Sequence, residues 1–248
     1  MPAEPFQALH AGRHRRPSER KPVLVVAGAG GALGTEVLRR LAGQHRFEAT
    51  WVLAREPITA GLRAVAALLV PDAPCAQWEV TPADTGLVMF DPPRLFNDRE
   101  RALWTPQPEQ LTDVAAWMRR GGVRTLLVVL PHDAGRLPEA LKRGLASLDE
   151  QSVAALGFER LLIIRTARKP VGAGRTSVLQ GLAHWMLSIM KYMIPSREQP
   201  VRAMKVAEFV TAALDLAPPG VHVAASEQVW AAAQQRDPRQ AVRTWLGL

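Results

Sequence analysis

Residues 23–43 read VLVVAGAGGALGTEVLRRLAG, and the glycines in this stretch have the spacing for chemistry. Gly28, Gly31 and Gly34 form G-x-x-G-x-x-G; Gly28, Gly30 and Gly34 fit a looser version. Gly28 permits a tight turn out of an apolar strand. Gly30 and Gly31 carry no Cβ, so backbone can approach a diphosphate closely. Gly34 lets the following helix pack tightly on the strand. A helix that opens near Ala32 points free backbone N–H groups, those of Ala32 and Leu33 among them, and its positive dipole end at the same place. The chemistry implied is dinucleotide binding. The next apolar segment ends VLAREP. A carboxylate at its tip would suit the ribose hydroxyls of NAD, but Arg55 stands there, and a guanidinium suits a 2′-phosphate by charge and by shape. The expected cofactor is therefore NADP(H), with NAD kept open by the adjacent Glu56. The alternative for Arg55 is an exposed charge at a strand end.

A loop of this kind works only between a strand and a helix. The chain supplies that context throughout. Apolar runs at 22–28, 48–55, 75–80, 86–91, 123–130, 159–167 and 220–225 read as strands. Amphipathic segments at 32–43, 59–69, 109–122, 137–156, 177–194 and 203–214 read as helices, with a short one in LFNDRERALW and one or two more at the C-terminus. Pro92, Pro93, Pro131 and Pro195 punctuate them. Strands alternating with helices predict an α/β fold: a doubly wound, mostly parallel Rossmann sheet with a small C-terminal helical lid. Residues 1–21 are expected to be a disordered basic tail. Residues 22–248 are expected to form one NAD(P)-binding domain, with 168–248 supplying the lid and the last strand.

Bulk properties remove several classes. The chain has 248 residues, enough for a full core, and a single cysteine, Cys75, so no intramolecular disulfide forms. No apolar core of secretory type lies in the first twenty residues, and no run of about 18 apolar residues reads as a membrane span. A cytoplasmic location is the expectation. The net charge of +8 is diffuse apart from HAGRHRRPSERK at 10–21, which reads as a solvated terminus rather than a nucleic-acid arm. Neither nucleic acid nor membrane is an expected partner. No metal-ligand spacing, G-x-S-x-G or P-loop is present.

From about residue 22 to 230 the sequence resembles the atypical short-chain dehydrogenases/reductases. The resemblance rests on G-x-x-G-x-x-G with a basic residue after the second strand, on GGVRTLLVVL, on ALGFERLLIIRTA (Gly157, Phe158 and Arg165, with Thr166 where the family has Pro) and on QPVRAMKVAEFVTAALDL. It implies a Ser or Thr after the fifth strand and a Tyr-x-x-x-Lys on the next helix, the Tyr hydroxyl being the general acid or base. Counting back from Phe158, the Tyr position falls near Lys142, the Lys position near Ala146, and the Ser position at Leu130 or Pro131. Residues 131–158 contain no Tyr; the single Tyr of the chain is Tyr192. Three readings follow. One is an NADP(H)-binding sensor, regulator or assembly factor without hydride transfer. Another is an NAD(P)-dependent oxidoreductase or epimerase with a substituted acid, for which His132, Asp133 and Lys142 are the candidates. The last is a ligand-free Rossmann scaffold that acts through interactions. The loop FDPPR is stiff and short of N–H donors on the nicotinamide side. Arg94 within it is a phosphate or substrate contact, or a solvent-facing charge.

The helix at 177–194 is apolar over far more than one face, with a narrow polar stripe of Gln180, His184, Ser188 and Lys191. Burial accounts for it first. A protein partner or a second copy of the chain comes next, and a membrane surface last.

Overall fold

The computed structural model describes residues 20–58, 64–94, 97–132, 145, 147–167 and 201–248, with His132 and Ala167 described by backbone only. The strands are β1 (Val23–Ala27), β2 (Ala49–Ala54), β3 (Val65–Leu69), β4 (Thr85–Met89), β5 (Thr125–His132), β6 (Arg160–Ala167) and β7 (Gly220–Ala224). They pair in the order β3-β2-β1-β4-β5-β6-β7, every pair parallel. The chain moves outward from β1 through β2 to β3, then returns to the other side of β1 with β4. The reversal places the crevice at the carboxyl ends of β1 and β4, where open α/β sheets take their ligands.

The helices are α1 (Gly31–Gly43), α2 (Asp98–Arg101), α3 (Leu111–Arg120), α4 (Leu148–Ala155), α5 (Ala203–Leu216), α6 (Ser226–Ala233) and α7 (Pro238–Leu246). Strand alternation divides the interior in two. Leu24 and Val26 of β1, Leu127 and Val129 of β5, and Leu162 and Ile164 of β6 face α1, α5, α6 and α7. Val23 and Val25, Leu126 and Val128, and Leu161 and Ile163 face α3 and α4. A period of two in strands buried on both faces produces this split, so the central strands read as unbroken apolar runs. On the second face Trp78 stands edge-on to both Trp104 and Trp117, with ring centroids 5.0 and 5.5 Å apart.

Among the described residues one ion pair is fully internal. Arg165 of β6 grips Glu150 of α4 bidentately, Nε to Oε1 at 3.1 Å and Nη2 to Oε2 at 2.6 Å, with side chains 2% and 5% exposed. Arg165, one of the residues that carried the family resemblance, thus ties α4 to the sheet.

The doubly wound expectation holds, and two segments need correcting. Residues 59–69 read as one helix, yet Val65–Leu69 is strand β3, paired with β2 from Thr50↔Val65 to Ala54↔Leu69. A five-residue Val/Ala/Leu run has no period to separate strand from helix, and pairing with β2 decides it. The expected third strand at 75–80 is instead a 3₁₀ turn, Cys75–Gln77, following Pro74. Cys75 and Trp78 are buried there by a spacing of three, which mimics an apolar strand in sequence. The 177–194 helix, Tyr192, and the 137–144 part of the expected 137–156 helix lie outside the described residues; Leu148–Ala155 is helical as expected.

Candidate functional site

The glycine loop has the strand–turn–helix form the sequence implied. Gly28 has φ +79°, and a Cβ there would lie 1.8 Å from the Met89 carbonyl oxygen of β4. Gly30 is the N-cap of α1. Gly31 has φ +69°, and Gly34 packs so close to Ala29 that a Cβ would sit 2.4 Å from its carbonyl carbon. Ala32 is exposed and Leu33 half-buried.

Two of the loop's donors, however, are already used by the chain itself. The Gly31 N–H donates to Glu100 Oε2 at 3.0 Å, and the Leu33 N–H donates to Asp91 Oδ2 at 3.0 Å. Two carboxylates therefore stand at the positive end of α1, the place a diphosphate takes in a dinucleotide site. The missing Cβ atoms serve the same neighbours. One on Gly31 would lie 2.4 Å from Asp91 Oδ2 and 2.7 Å from the Pro92 carbonyl oxygen, and one on Gly30 would meet Pro93 at 3.6 Å.

Glu100 is 4% exposed and saturated with donors. Besides Gly31 it accepts from the Arg94 N–H at 2.9 Å, from Arg94 Nε at 2.7 Å and Nη2, and from Asn97 Nδ2 at 3.0 Å. Thr35 Oγ1 approaches its Oε1 at 3.4 Å. Asn97 caps α2 by accepting from the Glu100 N–H, which fixes the carboxylate's direction. Arg94 faces solvent and its guanidinium pairs with Glu100.

Residues 102–104 hold this arrangement across the sheet's carboxyl edge. Leu103 bridges Ala54 in antiparallel sense at the end of β2. The Trp104 N–H donates to the Leu53 carbonyl at 2.9 Å, the Arg55 N–H to the Ala102 carbonyl at 2.8 Å, and the Gly28 N–H to the Trp104 carbonyl at 3.1 Å. Leu103 drops into the core on the α1 face and Trp104 into the core on the other. This strap lies over the end of β2, where an adenosine would sit. Arg55 is exposed beside it. A cleft of about 330 Å³ remains on the α1 side of the strap, floored by Leu38, Val52, Ile58 and Val65 and rimmed by Arg39 and Arg94.

The electrostatics of Glu100 predict a pH effect. Burial pushes its pKa up, but hydrogen bonds from the Arg94 side chain and backbone and from the Gly31 N–H, with the guanidinium charge, outweigh burial and hold it below the ordinary 4.5. Its contribution to stability is thus complete above that value and lost as pH falls through the lower folded value. Glu36 is held down in the same direction, by its hydrogen bond to Arg39 against the opposing push of burial. Thermal melts from about pH 6 to pH 3 should show Tm falling on the acid side. Glu100→Gln should flatten part of that fall, and an unchanged slope would count against the assignment.

Of the proposed catalytic groups, only His132 falls among the described residues. His132 ends β5 opposite Ala167, with only its backbone described. Asp133 and Lys142 lie outside the described residues. Among the described residues no group of three or more His, Cys, Asp or Glu could hold a metal ion, and no helix is long and apolar enough to cross a membrane. Asp91, Glu100 and the strap were missed in sequence as partners of the glycine loop. The one available signal was N-x-x-E at Asn97–Glu100, a helix-start pattern that announces α2 but not what Glu100 binds.

No protein-family model and no curated protein matches the chain. Solved structures with a similar fold include a nucleoside-diphosphate-sugar epimerase from Staphylococcus aureus (11% identity, 82% of this chain and 70% of that one, TM-score 0.47). The Bordetella bronchiseptica enzyme WbmF, solved in complex with NAD+ and UDP, shares 12% identity over 92% of this chain and 88% of that one, with TM-score 0.48. The negative transcriptional regulator Nmra shares 14% over 59% and 46%, with TM-score 0.38. The sheet order and the parallel pairing stand on their own: the described residues form a seven-stranded, Rossmann-like α/β fold.

Proposed function

We propose that this chain is a dinucleotide-type Rossmann protein that performs no hydride transfer and works as a sensor, regulator or assembly partner. The observation that carries the reading is the occupation of the Gly31 and Leu33 N–H groups by Glu100 and Asp91. An enzyme that needs its cofactor seated at every turnover gains nothing from two carboxylates in the diphosphate position. A protein whose state depends on whether a nucleotide is bound does, because ligand and carboxylates then compete and the ligand shifts a population. Arg55 at the β2 tip favours NADP(H) over NAD in that role. A cytoplasmic location belongs to the same proposal and rests on the lone cysteine.

Calorimetric titration of the purified protein with NADPH and NADH, beside a panel of carbonyl and alcohol substrates, tests it. The expected result is weak binding, NADPH ahead of NADH, and no turnover. Turnover that disappears in His132→Ala or Lys142→Ala would instead establish an oxidoreductase or epimerase with a substituted acid. A second reading, the ligand-free interaction scaffold, is favoured by the depth at which Leu103 and Trp104 are buried, 9% and 6% exposed. Absence of any nucleotide heat from a folded sample would select it.

A further inference from the structure

We infer that Asp91 and Glu100 form an autoinhibitory latch, an intramolecular substitute for a diphosphate, and that the latch opens separately from the strap that anchors it. This rests on reading the glycine loop as an anion site. Both carboxylates accept from amides of the first turn of α1, at 3.0 Å each, so an incoming diphosphate must replace them to use those donors. It also needs the space beside Gly30 and Gly31, which Pro93, Asp91 and Pro92 fill. Two like charges within a few ångströms of a bound diphosphate would repel it strongly in a half-buried site. Closed latch and bound ligand therefore exclude each other.

The two halves of the segment are held differently. Ala102, Leu103 and Trp104 are buried, and their backbone joins β2 and Gly28. Among the described residues Asp91 and α2 make no main-chain bond to β2 or Gly28; α2 joins the strap through the Ala102 N–H to the Asp98 carbonyl at 3.0 Å and the Leu103 N–H to the Glu100 carbonyl at 3.1 Å. Asp98, Arg99 and Arg101 are exposed, and α2 is a single four-residue turn. Glu100 is held by polar partners: the Arg94 fork, Asn97 and two backbone amides, those of Gly31 and Arg94. Displacement consequently stops before residue 102, where the main-chain pairing with β2 begins. When Glu100 swings out, the guanidinium of Arg94 is left beside the loop and can turn to the incoming anion, with the planar fork that suits phosphate oxygens.

The test uses inorganic pyrophosphate and NADPH as probes, titrated by calorimetry into the full chain, its Glu100→Gln variant and an Asp91→Asn/Glu100→Gln double variant. Asp98→Asn, on the exposed side of α2, is the control. Removing charge while keeping shape should tighten pyrophosphate binding about ten-fold or more in the double variant, with the single variant between and the control unchanged. Hydrogen exchange under pyrophosphate should speed up at residues 97–101 and at Leu103, whose N–H donates to the Glu100 carbonyl, and stay slow at Trp104, whose N–H donates to the Leu53 carbonyl. A folded double variant that binds pyrophosphate no better than the parent overturns the latch. Should the double variant not fold, Glu100→Gln alone decides by the same comparison. The outcomes separate this inference from the proposed function. Tighter pyrophosphate with no NADPH binding in any variant keeps the latch and discards the dinucleotide role. Tight NADPH binding by the parent, with residues 97–101 still protected, keeps the role and discards the latch.

Discussion

Gly28→Ala is expected to prevent folding, or to lower stability by more than about 3 kcal/mol. The Cβ would sit 1.8 Å from the Met89 carbonyl oxygen, and that oxygen belongs to β4 backbone. It cannot yield without parting β1 from β4, which pair up to Ala27↔Val88 at this point. The φ of +79° adds backbone strain for any side chain. Urea unfolding of the variant beside Gly43→Ala makes the comparison clean. Gly43 ends α1, and a methyl group added there would have nothing within 4 Å, so alanine should be neutral or slightly stabilising. Equal stability of the two variants would mean that the β1–β4 crossing is not as close as described.

Trp104→Ala is expected to cost about 3–5 kcal/mol, the usual range for deleting a buried aromatic ring. The ring is 6% exposed and stands edge-on to Trp78 at an interplanar angle of 81°. Its loss opens a cavity between β1, β2 and α3 and leaves Trp78 supported on one side only, by Trp117. The backbone bond to Leu53 remains possible, so the strap should loosen rather than leave. Faster amide exchange at 102–104 and a weaker near-ultraviolet circular dichroism signal should accompany the lower Tm. A variant with parental Tm would show that Leu103 alone anchors the strap.

The sequence made some of this plain and concealed the rest for identifiable reasons. VLVVAGAGGALG could be read as strand, turn and helix because each step is local: an apolar run, glycines where φ turns positive, then a helical period. The β5 and β6 strands were equally plain as long apolar runs that follow a glycine, although β5 continues through Pro131, expected to stop it, as far as His132. β3 was hidden because VAALL looks the same in either conformation and only its neighbour β2 decides. The occupants of the loop were hidden by distance along the chain. Leu33 meets Asp91 58 positions away, and Gly31 meets Glu100 69 positions away. FDPPR was legible as a stiff loop, yet nothing in its composition says that it leans over α1. Glycines that would admit a phosphate admit Pro92 and Pro93 by the same physics, so the motif reports close approach without naming what approaches.

The strap also sets an order of events during synthesis. Residues 20–58 can emerge with β1, α1 and β2 already specified, but the N–H groups of Gly28, Gly31 and Leu33 are satisfied only by residues 91–104. On the ribosome these first two strands therefore wait with an exposed, electropositive loop until Trp104 has cleared the exit tunnel. Slow passage through residues 91–104 would lengthen that window, in which cellular polyanions meet the nascent chain before its own carboxylates arrive.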